Sequence, residues 1–283
     1  MTIRDGMRWA TERLQQGSRE AARWEAEWML AHALGIERFE LYASPERALS
    51  HTEWARLQRL IERRCAGEPL QYLIGCTEFY NCRLEVAPTA LIPRPETEEL
   101  VERILREYAV APARVLDLGT GSGAIAIALA RAWPTSSFVA VDLSEQALAL
   151  ARRNAVLNGV AERIRFVRSD WFSGIYGEFD LIVSNPPYVP TKALAYAQRE
   201  LRYEPRLALD GGESGLEALA RIIRASPEYL SSHGALYLEI GCDQGARVRE
   251  LLCQSGAFER IEILQDMSGH DRFARAIKAI ERG

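Results

Sequence analysis

Residues 114–142 read RVLDLGTGSGAIAIALARAWPTSSFVAVD. Two apolar runs, 114–118 and 137–142, flank a glycine-rich turn and an alanine- and isoleucine-rich run over 124–133. The pattern predicts a buried strand, a tight turn, a helix and a second buried strand, which is the repeating unit of a parallel sheet. Because both strands are almost continuously apolar, we expect helices on both faces of that sheet.

The same alternation continues towards the C-terminus. A helix is predicted over 144–158 with Ser144 as its N-cap, and strands are predicted at 164–167, 179–184 and 235–240. Residues 259–264 and 272–277 predict a final strand pair that can run antiparallel. The expected fold class is therefore α/β, with a mostly parallel seven-stranded sheet.

The first 75 residues have a different pattern and predict a small helical bundle. Ser18 is a candidate cap for a helix that ends at Gly35, and Ser50-His51-Thr52-Glu53 is a capping-box sequence. Side chains alternate around 76–87 and indicate a short hairpin. We therefore expect a domain at 1–75, a hairpin linker at 76–88 and a second domain at 89–283.

Composition narrows the functional classes. The chain has 283 residues, a formal net charge of −4 and 48% hydrophobic residues, so it can form a packed core and carries no overall basic field for nucleic acid. The five cysteines contain no CxxC pair and the four histidines are scattered, which predicts a reducing compartment and no metal site. No apolar run is long enough to span a bilayer, and the N-terminus does not resemble a signal peptide. We expect a cytoplasmic protein.

The turn after the first strand is a candidate cofactor site. It reads Asp117-Leu118-Gly119-Thr120-Gly121-Ser122-Gly123, and glycines at such a turn let a ligand approach the main chain closely. Asp142 ends the next strand, where a carboxylate can accept hydrogen bonds from both ribose hydroxyls. Asp170 and Trp171 end the third strand and suit an adenine amine and ring face.

A second turn, Asn185-Pro186-Pro187-Tyr188, follows the strand at 179–184. The prolines fix their own φ angles and hold Asn185 extended. The turn should therefore present two rigid acceptors, the Asn185 side-chain oxygen and the Pro186 carbonyl, beside the aromatic wall of Tyr188. Such a site suits a planar group that bears –NH₂, and we expect Asn185, Pro186, Pro187 and Tyr188 to bind that substrate, with Asn185, Pro186 and Tyr188 as the catalytic residues. Tyr188 is expected to pack on the plane of that group, and a purely structural packing role is the alternative.

The glycine-rich turn alone does not settle the cofactor. Gly119-x-Gly121-x-x-Ala124 also satisfies a dinucleotide fingerprint, and Asp142 suits a nicotinamide cofactor equally well. Three features favour S-adenosylmethionine. Asp117 lies at the start of the turn, where it can contact the amino-acid end of that cofactor, and the turn carries a third glycine. The Asn185–Tyr188 turn has no role in hydride transfer.

With both turns present, the chain resembles class I (Rossmann-like) S-adenosylmethionine-dependent methyltransferases that act on amide or amine nitrogen. Two further stretches narrow the resemblance: LIPRPETE at 91–98 and YEPRLALDGG at 203–212. Together with the helical N-terminal segment they are similar to the PrmC/HemK family, the N5-glutamine methyltransferases of peptide chain release factors. The resemblance covers essentially the whole chain.

The resemblance implies a substrate and a set of contacts. The substrate would be the glutamine of the Gly-Gly-Gln motif in class-1 release factors, gripped elsewhere by the N-terminal bundle, with no nucleic acid or membrane partner and a monomeric enzyme. The cofactor would contact Gly119, Thr120, Gly121, Ser122, Gly123, Asp142, Trp171 and Asn185, while Asn185 through Tyr188 hold the glutamine amide. Glu239, at the end of the strand at 235–240, either faces this site or is structural.

Four other functions remain open from the residues. An adenine-N6 methyltransferase could use the same acceptors on a flipped base, but it should carry a basic stripe, and residues 1–75 contain equal numbers of basic and acidic side chains. A ribosomal-protein glutamine methyltransferase would share every catalytic residue. A non-catalytic cofactor-binding module has no need of paired acceptors, and a dehydrogenase would have to bind nicotinamide.

Overall fold

The computed structural model describes residues 1–16, 21–196 and 198–280. These residues form two compact units. The first contains the described residues of 1–76 together with 198–203, and the second contains 77–196 and 204–280. No helix in the described part of the chain has the length and apolar character needed to cross a membrane.

The first unit is helical. Its α-helices are α1 (Ile3–Gln15), α2 (Ala22–Leu34), α3 (Glu40–Ala43), α4 (His51–Cys65) and α5 (Leu70–Ile74). The predicted capping box at Ser50 is confirmed, since its side chain accepts a hydrogen bond from the Glu53 N–H and the Glu53 carboxylate accepts one from the Ser50 N–H. Gly35 ends α2 at φ 68°, whereas the predicted cap Ser18 lies outside the described residues.

Apolar side chains and one buried ion pair hold this unit together. Leu14, Leu30 and Leu57 are fully buried between α1, α2 and α4. The Arg64 guanidinium, also buried, bonds both carboxylate oxygens of Glu25 at 2.7 and 2.9 Å. A bidentate pair satisfies both buried charges, so α2 and α4 are fixed in register.

The second unit is a three-layer α/β domain. A hairpin, β1 (Cys76–Phe79) and β2 (Cys82–Glu85), precedes it. Its helices are α6 (Pro95–Glu107), α7 (Ala124–Ala132), α8 (Glu145–Leu157), α9 (Glu217–Ala225) and α10 (Gly245–Ser255). Its strands are β3 (Arg114–Leu118), β4 (Ser137–Asp142), β5 (Ile164–Arg168), β6 (Phe179–Ser184), β7 (Leu230–Glu239), β8 (Phe258–Gln265) and β9 (Asp271–Lys278).

The large sheet confirms the predicted fold. Its strand order is β5-β4-β3-β6-β7-β9-β8, with the first five strands parallel and β9 antiparallel to both β7 and β8. Side chains alternate between two cores: Val115 joins the core under α6 and α7, and Leu116 joins the core under α9 and α10. Helices cover both faces, as the continuous apolar strands predict.

Strand order creates the position for a site. The chain runs from β3 outward to β4 and β5, then returns to the other side of β3 as β6. The loops that follow β3 and β6 therefore diverge from neighbouring strands at a topological switch point. In open α/β sheets, ligands bind in the crevice at the carboxyl ends of the strands at such a point.

Candidate active site

The two turns singled out in the sequence meet at this switch point. Leu118 and Ser184 are register partners in the β3–β6 ladder, so the glycine-rich turn and the Asn185–Tyr188 turn begin at the same level of the sheet. The Ser184 hydroxyl also donates a hydrogen bond to the Leu118 carbonyl at 2.7 Å. Sheet register thus brings together two motifs that lie more than sixty residues apart in the chain.

A cavity of about 470 Å³ opens between these turns, within the second unit. That volume lies within the range of small-molecule pockets. Of the predicted site residues, those that line it are Gly119, Thr120, Gly121, Ser122, Asp142, Asp170, Trp171, Asn185 and Pro187. Asp117, Gly123, Pro186 and Tyr188 are not among the lining residues.

Glycine is required at the start of α7. Gly123 has φ 85° and forms the N-cap of the helix. A Cβ at this position would lie 2.9 Å from Ile127 Cδ1 and 3.1 Å from the Ala151 Cβ. Its part in the site is therefore to let α7 begin close to α8, while the residues before it face the cavity.

Asp142 is an acceptor fixed by two backbone hydrogen bonds in the cavity wall. One carboxylate oxygen accepts the Gly121 N–H at 2.9 Å, and the other accepts the Ser144 N–H at 2.9 Å. Burial raises the pKa of Asp142, while the backbone N–H groups of Ser144 and Gly121 lower it. Each oxygen keeps a further lone pair, so the group can accept two ribose hydroxyls without moving.

Asp117 lies beneath the glycine-rich turn. Its side chain is 1% exposed, and Oδ2 accepts the Thr120 hydroxyl at 2.6 Å. Oδ1 has no hydrogen-bond partner within the described ranges. Burial raises the pKa of this carboxyl to about 7, against the lowering effect of Thr120. The bond to Thr120 shapes the turn, and a contact with the amino-acid end of the cofactor stays a prediction.

Trp171 and Asp170 form the opposite wall. Trp171 adopts φ 54°, and a Cβ placed on Gly119 would lie 3.6 Å from its indole ring, so the ring closes over the start of the glycine-rich turn. Asp170 pairs with Arg221 at 2.8 Å, a partner on α9 that the sequence did not suggest. An aromatic face and a carboxylate side by side suit an adenine ring with its amine.

The stretch 203–212 also contributes to the cavity wall. The Glu204 carboxylate accepts the Ile92 N–H at 3.0 Å and also bonds Arg94, so it fixes the LIPRPETE stretch. At the other end, a Cβ on Gly211 would lie 2.7 Å from the Pro187 carbonyl. Both family stretches therefore surround the Asn185–Tyr188 turn.

Asn185 is held from one side only. Its Nδ2 donates to the Thr97 hydroxyl at 3.0 Å, and Thr97 in turn donates to Glu239 Oε2 at 2.6 Å. The Tyr188 hydroxyl donates to the other oxygen of Glu239 at 3.2 Å. No donor reaches Asn185 Oδ1 from any residue the structure describes, so this oxygen remains available at the cavity wall.

Comparison with known proteins fits this geometry. Residues 6–75 match the family model described as PrmC N-terminal domain, and residues 96–213 match the one described as Methyltransferase small domain. The release factor glutamine methyltransferase of Nitratidesulfovibrio vulgaris is 41% identical over 276 residues, covering 96% of this chain and 94% of that protein. The chain belongs to the release factor glutamine methyltransferase family. 

A second relative agrees with this assignment, and a solved structure shares the fold. The release factor glutamine methyltransferase of Geobacter sulfurreducens is 43% identical, covering 96% of this chain and 95% of that protein. The crystal structure of a ribosomal protein L11 methylase from Lactobacillus delbrueckii subsp. bulgaricus is 23% identical with a TM-score of 0.50, covering 66% of this chain and 81% of that one. The latter likeness concerns the fold alone.

Family membership confirms the predicted resemblance to PrmC/HemK and the prediction of a methyltransferase that uses S-adenosylmethionine. The residues fit this cofactor: the wall combines a backbone that approaches closely, a rigid carboxylate for the ribose and an aromatic face. In the described residues, no cluster of histidine, cysteine, aspartate and glutamate could hold a metal ion.

Two buried carboxyl groups, Glu239 and Asp117, should make the stability of the folded protein depend on pH. Burial raises the pKa of Glu239 to about 7, and that of Asp117 likewise. Both values lie above those of the unfolded chain, so between about pH 4.5 and 7 the folded state binds more protons than the unfolded state. The free energy of unfolding should therefore fall as the pH rises through that window.

Urea unfolding of the wild type and of Glu239→Gln at pH 5 and pH 8 measures this effect. We expect the loss of stability between these pH values to be smaller in the variant, by on the order of 1–3 kcal/mol. An identical pH dependence in both proteins would show that Glu239 does not titrate above its ordinary range.

Proposed function

We propose that this chain transfers a methyl group from S-adenosylmethionine to the side-chain amide nitrogen of the glutamine in the Gly-Gly-Gln motif of class-1 release factors. The names of the two relatives described above support this substrate. The observation that carries the proposal in the structure is the free Oδ1 of Asn185 at the wall of the cavity that Asp142 also lines. An unpaired acceptor at that position suits an N–H donor.

S-adenosylmethionine supplies an electrophilic methyl group on a positively charged sulfur. An amide nitrogen is a poor nucleophile because its lone pair is delocalised into the carbonyl. Asn185 Oδ1 and the Pro186 carbonyl would accept hydrogen bonds from the two N–H groups of the glutamine amide and hold the nitrogen towards the methyl group. The N–C bond would form as the S–C bond breaks, the sulfur would leave as a neutral thioether, and the nitrogen would lose one proton to water. Orientation of this kind contributes up to about 7–11 kcal/mol, and acceptors near a developing positive charge add to it.

The roles of the flanking segments belong to the same proposal. Residues 1–75 would recognise the body of the release factor, since one glutamine is a small ligand and selective binding of a protein needs more surface. Residues 76–88 would link that region to the methyltransferase domain at 89–283. We propose that the enzyme works as a monomer in the cytoplasm, on a protein and not on nucleic acid.

The test is a transfer assay with a panel of acceptors. The chain is incubated with methyl-labelled S-adenosylmethionine and, separately, a class-1 release factor, ribosomal proteins, DNA and tRNA. We expect label only on the release factor, and mass spectrometry should locate one added CH₂ on its Gly-Gly-Gln glutamine. A release factor with glutamate in place of that glutamine should take no label, because glutamate has no amide nitrogen.

Two outcomes would contradict the proposal. Label on DNA or tRNA, with a steep dependence on salt, would favour the adenine-N6 alternative. Equal labelling of the release factor and its glutamate variant would mean that another residue accepts the methyl group.

A further inference from the structure

A buried carboxylate lies directly behind Asn185. Glu239 ends β7, the strand next to β6, and its side chain is 1% exposed. Both of its oxygens accept hydroxyl groups, from Thr97 at 2.6 Å and from Tyr188 at 3.2 Å. Burying a carboxylate costs desolvation energy even when both of its oxygens are hydrogen-bonded, and an apolar side chain of similar size would avoid that cost.

The hydrogen bonds around Thr97 have a direction. A threonine hydroxyl has one proton and two lone pairs. The Thr97 hydroxyl donates its one hydrogen bond to Glu239, so it can only accept a hydrogen bond from Asn185. The Asn185 side chain must therefore turn its NH₂ group towards Thr97. The Asn185 oxygen then faces the opposite way.

We propose that Glu239, acting through Thr97, is a positioning residue that fixes which end of the Asn185 carboxamide meets the substrate. This inference rests on the proposed function, in which Asn185 Oδ1 accepts an N–H of the glutamine amide. A carboxamide is nearly symmetric in shape, so packing alone does not distinguish its oxygen from its nitrogen. The hydrogen bonds that run from Asn185 through Thr97 to Glu239, here called the relay, distinguish the two ends by their direction.

The relay also bears on substrate choice. With its oxygen forward, Asn185 accepts from an –NH₂ group. If the Asn185 NH₂ group faced the substrate instead, it would meet the NH₂ group of the glutamine, and two donors cannot pair. That orientation would suit the carboxylate of a glutamate. A charged Glu239 therefore favours a glutamine over a glutamate in the same cavity.

The groups around Glu239 determine the pH at which it is charged and can accept the Thr97 hydrogen bond. They are Thr97 and Glu96 on α6, Tyr188 after β6, and Arg272 on β9. Once Glu239 is protonated it can donate to Thr97, and the Thr97 proton becomes free to pair with Asn185 Oδ1. Methyl transfer should therefore rise with pH as Glu239 loses its proton, near pH 7.

Four variants test the relay. Thr97→Val removes the hydroxyl at constant shape, and Glu239→Gln can donate to Thr97 where the carboxylate could only accept. We expect each to lower kcat about 10- to 30-fold with S-adenosylmethionine affinity within about twofold of wild type. Thr97→Ser keeps the hydroxyl and should restore kcat to within about threefold. Tyr237→Phe is the control on the same strand, because it removes a hydroxyl that donates to the remote Glu107 at 2.5 Å.

The pH profile separates positioning from a structural role. The rising limb near pH 7 should be present in the wild type and Tyr237→Phe, and absent in Glu239→Gln. Should Glu239→Gln fail to fold, the Thr97→Val and Thr97→Ser pair decides the question alone. Values of kcat within threefold of wild type in both Thr97→Val and Glu239→Gln would overturn the relay.

A spectroscopic measurement keeps this inference distinct from the proposed function. The Asn185 carboxamide signal in a ¹⁵N–¹H spectrum is assigned by its loss in Asn185→Asp. It should shift in Thr97→Val and Glu239→Gln and stay in place in Tyr237→Phe. If the wild type methylates no release factor, the proposed function is wrong, and these shifts still decide the relay. If the wild type is active but the signal is identical in all four variants, only the relay is wrong.

Discussion

Asn185→Ala is expected to lower kcat for release factor methylation by about a thousandfold, the upper end of the effect of removing one polar group that stabilises a transition state. Asn185 lies at the carboxyl end of β6, and its Oδ1 is the acceptor left free by the bond between Nδ2 and Thr97. Without it the glutamine amide has lost one of its two proposed acceptors, so its nitrogen is no longer held in line with the methyl group.

Single-turnover rates at saturating S-adenosylmethionine and release factor measure this loss directly. Asn158→Ala is the matched control: the same substitution removes a side-chain amide that bonds only backbone carbonyls of Arg83 and Asn154, away from the cavity. The control should keep kcat within about threefold of wild type, since no substrate contact is lost. A rate for Asn185→Ala within tenfold of wild type would mean that the amide is oriented by other groups.

Much of the fold could be predicted because its determinants are local. The apolar runs and the turn between them placed β3, β4 and β6 to within a residue. The strand that follows α9 was predicted from 235, but β7 begins at Leu230. The sequence Ser-Ser-His-Gly at 231–234 suggests a turn, and the structure accommodates it with His233 at φ 63° and a register shift against β6.

The cavity was found from sequence for a similar reason. Glycine permits, and proline fixes, particular backbone conformations wherever they occur. The turns after β3 and β6 can therefore be identified in the sequence without knowledge of the packing. The expectation that a ligand binds beside these turns then follows from the general rule for ligand sites at the carboxyl ends of strands in α/β sheets. What joined the two turns into one site was the pairing of Leu118 with Ser184, which only the structure provides.

Side-chain partners across elements could not be predicted. Thr97 and Glu239 are 142 positions apart, and their bond depends on how α6 packs against β7. The same holds for Arg221 on Asp170 and for Glu204 on the backbone of Ile92. Such pairs leave no local pattern in a single sequence, although the position of Thr97 within a recognisable stretch was a usable signal.

Two predicted site residues bond protein groups that the sequence did not suggest. Asp117 was expected at the amino-acid end of the cofactor, and its carboxylate bonds Thr120 beneath the turn. Tyr188 was expected on the plane of the substrate amide, and its hydroxyl bonds Glu239. Sequence spacing identified both as part of the site but could not tell a wall residue from the residue that supports it. Their contacts with ligands stay predictions.

Asp142→Asn should weaken S-adenosylmethionine binding about a hundredfold, which corresponds to the loss of two hydrogen bonds to a charged group. Both oxygens of Asp142 accept backbone N–H groups, from Gly121 and from Ser144. An asparagine must turn its NH₂ group towards one of these donors, so one anchor is lost and fewer lone pairs remain for the ribose hydroxyls. Calorimetric titration with S-adenosylmethionine measures the dissociation constant, and kcat at saturating cofactor should stay within about threefold because the reacting groups are untouched.

Asp180→Asn provides the matched control for this substitution. Asp180 also accepts a backbone N–H, that of Arg114, and a second donor, the Ser231 hydroxyl, but it does not line the cavity. Both variants change the net charge equally and both lose a carboxylate bonded to backbone, so the difference between them isolates the cofactor contact from general loss of stability. If Asp180→Asn weakened binding as much as Asp142→Asn, or if neither changed the dissociation constant by more than threefold, Asp142 would not be the ribose acceptor. The affinity of the cavity would then have to come from other lining groups, such as the glycine-rich backbone and the Trp171 ring.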